Sequence, residues 1–312
     1  MKTTPITPAD LARSVLSVPP LARRADLTVD PAQNARLIDH LRAGGVRTFM
    51  YGGNANLYNM GVSELRTLVE MLLALAHDDD WFVPSVGSDY GKAHDQLLML
   101  RDYPFPTAMV LPNRFPATPA GVATGLRKLA DAYGKPVIAY VKDDGYVDAG
   151  DLGRLAADGA ICAIKYAVVR QDPANDSYLD GILGHVDRNL VISGIGERPA
   201  ITHLTRFGLK AFTSGSVCVA PGLSMALLGA IERGDLKEAE RLRALFIPLE
   251  DLRDQYSPLR VLHEAVRLAG IADTGPMLPL LSNIDDAKVL GAIETAANRL
   301  LAAERSATAR AA

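Results

Sequence analysis

Eight times between Ser14 and about Gly234 the chain repeats one unit: a short apolar or β-branched run, a polar or glycine turn, then a helical stretch. The runs are SVLSV (14–18), RTFMY (47–51), WFVPS (81–85), TAMVL (107–111), PVIAY (136–140), AICAIK (160–165), LVISG (190–194) and AFTSG (211–215). Alternation of this kind predicts parallel strands joined by crossover helices. Eight such strands can close into a (β/α)8 TIM barrel, whereas an open doubly wound sheet usually carries a glycine-rich loop after its first strand. Here SVLSV is followed by PPLARR, which contains no glycine, so the barrel is expected. Helix boundaries agree: Asp30-Pro31 and Thr118-Pro119 place a capping side chain before a proline at the first helical position, and Gly44 and Gly134 read as left-handed stops.

Beyond Gly234 the strand signal disappears. Three helical segments follow: about 235–255 with a kink expected at Pro248, 258–269, and about 284–305. The division expected is therefore a barrel over 1–234 and a helical extension over 235–312 packed on it. Leucines and alanines recur at three- and four-residue spacing, so these helices have faces that must pack against the barrel or a second subunit. The final SATARAA is expected to fray, and the acidic run Asp78–Asp80 reads as a solvated helix exit.

The 312 residues are ample for a large core, and the formal net charge of −3 is spread among interspersed acids and bases. No basic field favours nucleic acid or an anionic membrane, so neither partner is expected. No run approaches the roughly 18 apolar residues of a membrane span, and the first residues lack a signal-peptide core. A cytoplasmic location is the expectation. Cys162 and Cys218 stand alone without CxxC or CxxH spacing, and the six histidines show no HxH or HExxH pattern; no metal is expected.

One residue conflicts with its surroundings. The stretch GAICAIKYAVV (159–169) is uncharged except for Lys165. Lysine is rarely buried, because removing an ammonium from water is costly unless it is paired or loses its proton. A strand-end lysine can snorkel outward. Alternatively, burial can depress its pKa from about 10.4 and free a nucleophilic amine that condenses with a ketone. Strand alternation puts Lys165, Ala163 and Ile161 on the barrel interior, with Lys165 at the C-terminal mouth where barrel active sites sit. Tyr140 ends the preceding strand in the same way, and its phenol could move protons beside the amine.

These residues and their order resemble the dihydrodipicolinate synthase and N-acetylneuraminate lyase superfamily of Schiff-base barrels. The likeness spans nearly the whole chain: YGGNANLYNM (51–60), PSVGSD (84–89), LPNRFPATPAG (111–121), PVIAYV (136–141), AIKYA (163–167), ISGIGE (192–197), FTSGSVCVAPGL (212–223), SPLRVLHEAVRLAG and a later LPL (278–280). By resemblance, Lys165 forms the imine and Tyr140 transfers protons, so no separate cofactor is needed. The turn after the second strand, Gly52, Gly53, Asn54, Ala55 and Asn56, would hold a substrate carboxylate. Ser193, Gly194 and Thr213 at strands seven and eight would touch ligand. The resemblance also implies a homo-oligomer, a dimer or tetramer.

The departures narrow the chemistry. Where the family has Gly-Thr-Thr-Gly-Glu, this chain has no hydroxyl, and an amide cannot relay a proton as a hydroxyl does. The segment that carries a tyrosine pair after strand four offers Asn113 and Arg114 instead. The arginine expected shortly after the strand-five tyrosine is missing, with Gly145 at about its place; Lys142 is the substitute anion partner, and Arg114, Arg170 and Glu197 would rim the mouth. The expected function is a Schiff-base lyase, an aldolase or dehydratase, acting on pyruvate or a 2-oxo (3-deoxy sugar) acid. Two alternatives remain open: dihydrodipicolinate synthase itself, condensing pyruvate with aspartate semialdehyde, and a barrel that binds a small carboxylate without turning it over.

Overall fold

The computed structural model describes residues 1–311. Eight parallel strands close into one barrel in sequence order: β1 (Leu16–Ser17), β2 (Thr48–Tyr51), β3 (Trp81–Val86), β4 (Met109–Val110), β5 (Val137–Val141), β6 (Ile161–Tyr166), β7 (Val191–Ser193) and β8 (Ala211–Ser214), with β8 pairing back onto β1. Every expected strand is present. β1 and β4 are shorter than their apolar runs, because only part of each run reaches both neighbours.

Strands of a parallel barrel are covered on both sides, which is why the runs are continuously apolar rather than alternating. All six residues of β3 are buried, and Phe49 and Phe82, side by side on β2 and β3, stack with centroids 4.9 Å apart.

The helices are α1 (Pro8–Ala12), α2 (Pro31–Ala43), α3 (Val62–Leu75), α4 (Tyr90–Leu100), α5 (Pro119–Tyr133), α6 (Ala149–Ala157), α7 (Ser177–Leu183), α8 (Ala200–Thr205), α9 (Pro221–Glu232), α10 (Leu236–Gln255), α11 (Pro258–Leu268) and α12 (Ala287–Ala311). Asp30 and Thr118 cap α2 and α5 as their sequences predict, each cap being worth about 1 kcal/mol. Gly134 is the left-handed stop of α5. At the end of α2 that role falls to Gly45, with φ 92°, and not to Gly44, whose φ is −86°. Gly44 is required for another reason: a Cβ there would lie 2.4 Å from the Pro221 ring at the start of α9.

Two further expectations change. Asp80 is buried, accepting from Arg42 Nε at 3.1 Å and from the His77 N–H at 2.8 Å, so the acidic run ends in a structural ion pair rather than in solvent. The last segment, expected to fray, is helical over its described residues, with α12 continuing through Ala311 and Ala312 outside them. Helix α10 runs through Pro248 and packs against α9, α11 and α12, which brings the C-terminal helices to the barrel. Among the described residues no helix is long and apolar enough to cross a membrane.

Candidate active site

Tyr140 and Lys165 are register partners on β5 and β6, one strand apart at the mouth. In a parallel pair, residues at the same register project to the same side, so the phenol and the amine emerge together. Lys165 Nζ lies 4.0 Å from the Tyr140 ring centroid. The lysine is 4% exposed. Burial drives its pKa down to about 7, and the nearby cations Lys142 and Arg253 push the same way. No acid appears among the causes acting on it, so the protonated amine has only the ring's π face to favour it. Burial pushes the Tyr140 phenol up to about 12, against a downward pull from Arg253. The pair is thus an amine largely able to shed its proton beside a phenol that keeps one.

A cavity of about 120 Å³ opens over this pair. Of the residues picked out from sequence, it brings together Lys165, Tyr140, Gly53, Asn54, Lys142, Gly194 and Thr213. Four others lie elsewhere. Ser193 is fully buried with its hydroxyl 2.8 Å from His203 Nδ1 on α8. Its register explains this: Ser193 pairs with Tyr166 and Ile192 with Lys165, so Ser193 points to the helices. Ala55 and Asn56 turn away beneath the loop, where Asn56, at φ 55°, donates to the Leu278 carbonyl at 3.3 Å. Arg114 is solvent-exposed and held by Asp143 at 2.7 Å.

Two further candidate rim residues are also structural. Arg170 pairs with Asp144 and with the buried Asp176, the latter at 2.9 Å. Glu197 is fully buried and accepts from Ser214 Oγ at 2.8 Å and Ser224 Oγ at 2.7 Å. A larger cavity, about 420 Å³, lies against β5 and α5, lined by Val110, Leu111, Leu126, Val141 and Tyr146; Lys165 does not line it.

No protein-family model matches the sequence, and no curated protein matches it significantly. Solved structures do match in shape. Dihydrodipicolinate synthase from Bacillus clausii has a TM-score of 0.81 at 20% identity, covering 95% of this chain and 99% of that one. The Thermotoga maritima dihydrodipicolinate synthase has a TM-score of 0.81 at 16% identity, covering 93% and 99%. PhdJ, solved bound to a substrate intermediate, has a TM-score of 0.83 at 18% identity, covering 97% and 99%. The chain has the dihydrodipicolinate synthase fold.

Within that dihydrodipicolinate synthase fold, the cavity is completed by residues the sequence did not single out: Tyr58 after the strand-two turn, Arg198 after β7, and Glu250, Arg253 and Asp254 from α10. The signal for the last group was present. Phe246, Leu249, Glu250 and Arg253 share the buried face of α10, so two charged residues stand on an otherwise apolar stripe. Charges on such a stripe must face a polar partner or a cavity. Tyr58 has no such signature; its phenol is raised by burial first and then by Tyr140 and Tyr146, which places it electrostatically beside the pair.

Proposed function

We propose that the chain is a divergent Schiff-base lyase of the dihydrodipicolinate synthase and N-acetylneuraminate lyase superfamily, acting on pyruvate or a 2-oxo acid. The observation that carries this reading is Lys165: a buried amine with a pKa near 7, among cations, over a phenol. At neutral pH a large fraction of such an amine is unprotonated and nucleophilic.

In this reading the Lys165 nitrogen attacks the substrate's C2 carbonyl, the carbinolamine loses water, and a protonated imine links Nζ to C2. The iminium withdraws electrons. When a C3–C4 bond breaks, its electron pair moves to C3 as the enamine forms, and the C4 hydroxyl proton leaves as the aldehyde carbonyl appears. In a dehydration, loss of the C3 proton gives an enamine that keeps C4, and its return to the iminium expels hydroxide from C4, which leaves as water once protonated. Both routes need proton movement at C3 and C4, which Tyr140 performs; Tyr58 and Thr213 bring further hydroxyls into the cavity in place of the missing threonine pair. The N–H of Asn54, which lines the cavity, makes no hydrogen bond among the described residues, leaving this turn residue free to donate to a carboxylate. The site needs no cofactor beyond Lys165. A homo-oligomer is the expected working form, although a structure described as a monomeric dihydrodipicolinate synthase variant has the same fold.

The test is borohydride reduction with pyruvate and a panel of 2-oxo-3-deoxy sugar acids, read by intact and peptide mass spectrometry. An adduct on Lys165 is expected, strongest with the true substrate. Folded protein that gives no adduct with any member sinks the reading.

A further inference from the structure

Arg253 is a cation at the rim of the barrel core, 9% exposed, and among the described residues no carboxylate accepts a hydrogen bond from it. Its Nη1 donates to Ser216 Oγ at 3.3 Å and its Nε reaches the Pro258 carbonyl at 3.5 Å. Glu250 Oε1 stands 3.9 Å from Nη1, too far for a hydrogen bond. Glu250 is at most a weak counter-ion: Oε1 accepts the Glu197 N–H at 3.0 Å, Oε2 is buried without a partner, and burial, then the Glu197 carboxylate, favour the protonated acid against a downward pull from Arg253. Asp254, the other acid lining the cavity, pairs with Arg198 at 3.3 Å.

That leaves Nη2 with no acceptor among the described residues. Its position is informative. A Cβ built on Gly215 would lie 2.8 Å from Arg253 Nη2 and 2.9 Å from Asn54 Nδ2, so both donors lie against the same face of Gly215, and all three residues line the cavity above Lys165. Asn54 Nδ2 spends one hydrogen on the Val18 carbonyl at 2.9 Å and keeps the second. A desolvated cation costs several kcal/mol unless something compensates it, and the described residues offer this one only two long hydrogen bonds and a carboxylate at 3.9 Å.

We infer that Arg253 and Asn54 form a carboxylate-binding site over Gly215, and that its ligand is the carboxylate of the 2-oxo acid condensing with Lys165. The inference rests on the Schiff-base reading and adds to it the residue that supplies the charge. A guanidinium beside an amide suits a planar two-oxygen anion. Lys142 lines the same cavity, but its neighbours are Arg114 and Asp143 and nothing aims it at Gly215.

The experiment compares cyanoborohydride trapping of pyruvate with that of hydroxyacetone, a ketone of similar size without the carboxylate, in wild type and in Arg253→Met. In the variant the half-saturating concentration of pyruvate relative to hydroxyacetone is expected to rise about 10- to 100-fold, the worth of a charge-assisted hydrogen bond. Arg253→Lys is expected to recover part of that preference. An unchanged preference in folded Arg253→Met overturns the inference. Should that variant not fold, Gly215→Ala, whose methyl would press on both donors, is expected to lose the same preference, and retention there overturns it equally. Wild-type protein giving no Lys165 adduct with either ketone sinks the parent reading instead. Calorimetric titration of pyruvate into Lys165→Ala, with and without Arg253→Met, then decides the carboxylate site alone, with binding at least about 10-fold weaker in the double variant expected and equal binding fatal to it.

Discussion

Lys165 Nζ and the Tyr140 ring face each other at 4.0 Å from neighbouring strands at one register. Both side chains leave the sheet at the same level, so the hydrogen-bonded register of β5 and β6 sets their spacing. In the proposed chemistry this register holds the nucleophile and the proton carrier together, with the groups packed around them tuning both.

The rate of trapping at Lys165 is expected to rise about tenfold per pH unit below 7 and to level off above it, because the amine's pKa is lowered to about 7 and only the free amine attacks. An ordinary lysine would still be gaining at pH ~9. Adduct yield at fixed short times, measured by mass spectrometry from about pH 5 to 9, checks this. A profile climbing without a break past pH ~8 would show that the amine is not desolvated as described.

Tyr140→Phe is expected to slow turnover about 100-fold or more while leaving the Lys165 adduct formable, since the ring stays over the amine and only the hydroxyl is lost. Tyr58→Phe is expected to slow turnover less. Pre-steady-state trapping measured beside steady-state turnover separates the two effects. Equal loss of trapping and turnover in Tyr140→Phe would mean that the phenol acts before the imine exists.

Glu250 gives a prediction about stability. Burial, then the Glu197 carboxylate, raises its pKa in the folded state well above the ordinary 4.5. In the unfolded chain the acid ionises near that value, so wild-type stability falls as pH rises above about 4.5, until the folded acid ionises too. Glutamine does not titrate, and its oxygen can still accept the Glu197 N–H. Hence the stability of Glu250→Gln relative to wild type is expected to grow from pH ~4.5 upward, read from urea midpoints at several pH values. A difference independent of pH would show that Glu250 is ionised in the native protein.

Ser193→Ala is expected to cost about 1 kcal/mol of stability and to leave pyruvate trapping unaltered. Its hydroxyl serves His203, a histidine that burial has pushed down to about 4 and so keeps neutral. A selective rise in the pyruvate requirement would return Ser193 to the substrate.

The strand pattern, the barrel and the Lys165–Tyr140 pair were legible because each depends on local periodicity: an apolar run reports a covered strand, and a charge inside it reports its own anomaly. Ser193 was misplaced because sequence does not show which of two adjacent residues at a strand end shares the register of Lys165; that follows from pairing with β6. Arg253 and Glu250 were missed for a different reason. They are separated from Lys165 by more than eighty positions, and only the docking of α10 on the barrel brings them to the cavity. The buried ion pair of Asp80 with Arg42 likewise depends on two distant helix exits meeting.

Arg253 belongs to the part of the chain that leaves the ribosome after all eight strands. Until α10 docks, a nascent barrel has Lys165 without the repulsion from that guanidinium, and without the lid of residues that dries the amine. Its lysine would then sit nearer the ordinary value and stay protonated. Under the proposed chemistry, the reactive amine is thus a property of the completed tertiary structure and not of the strand that carries it.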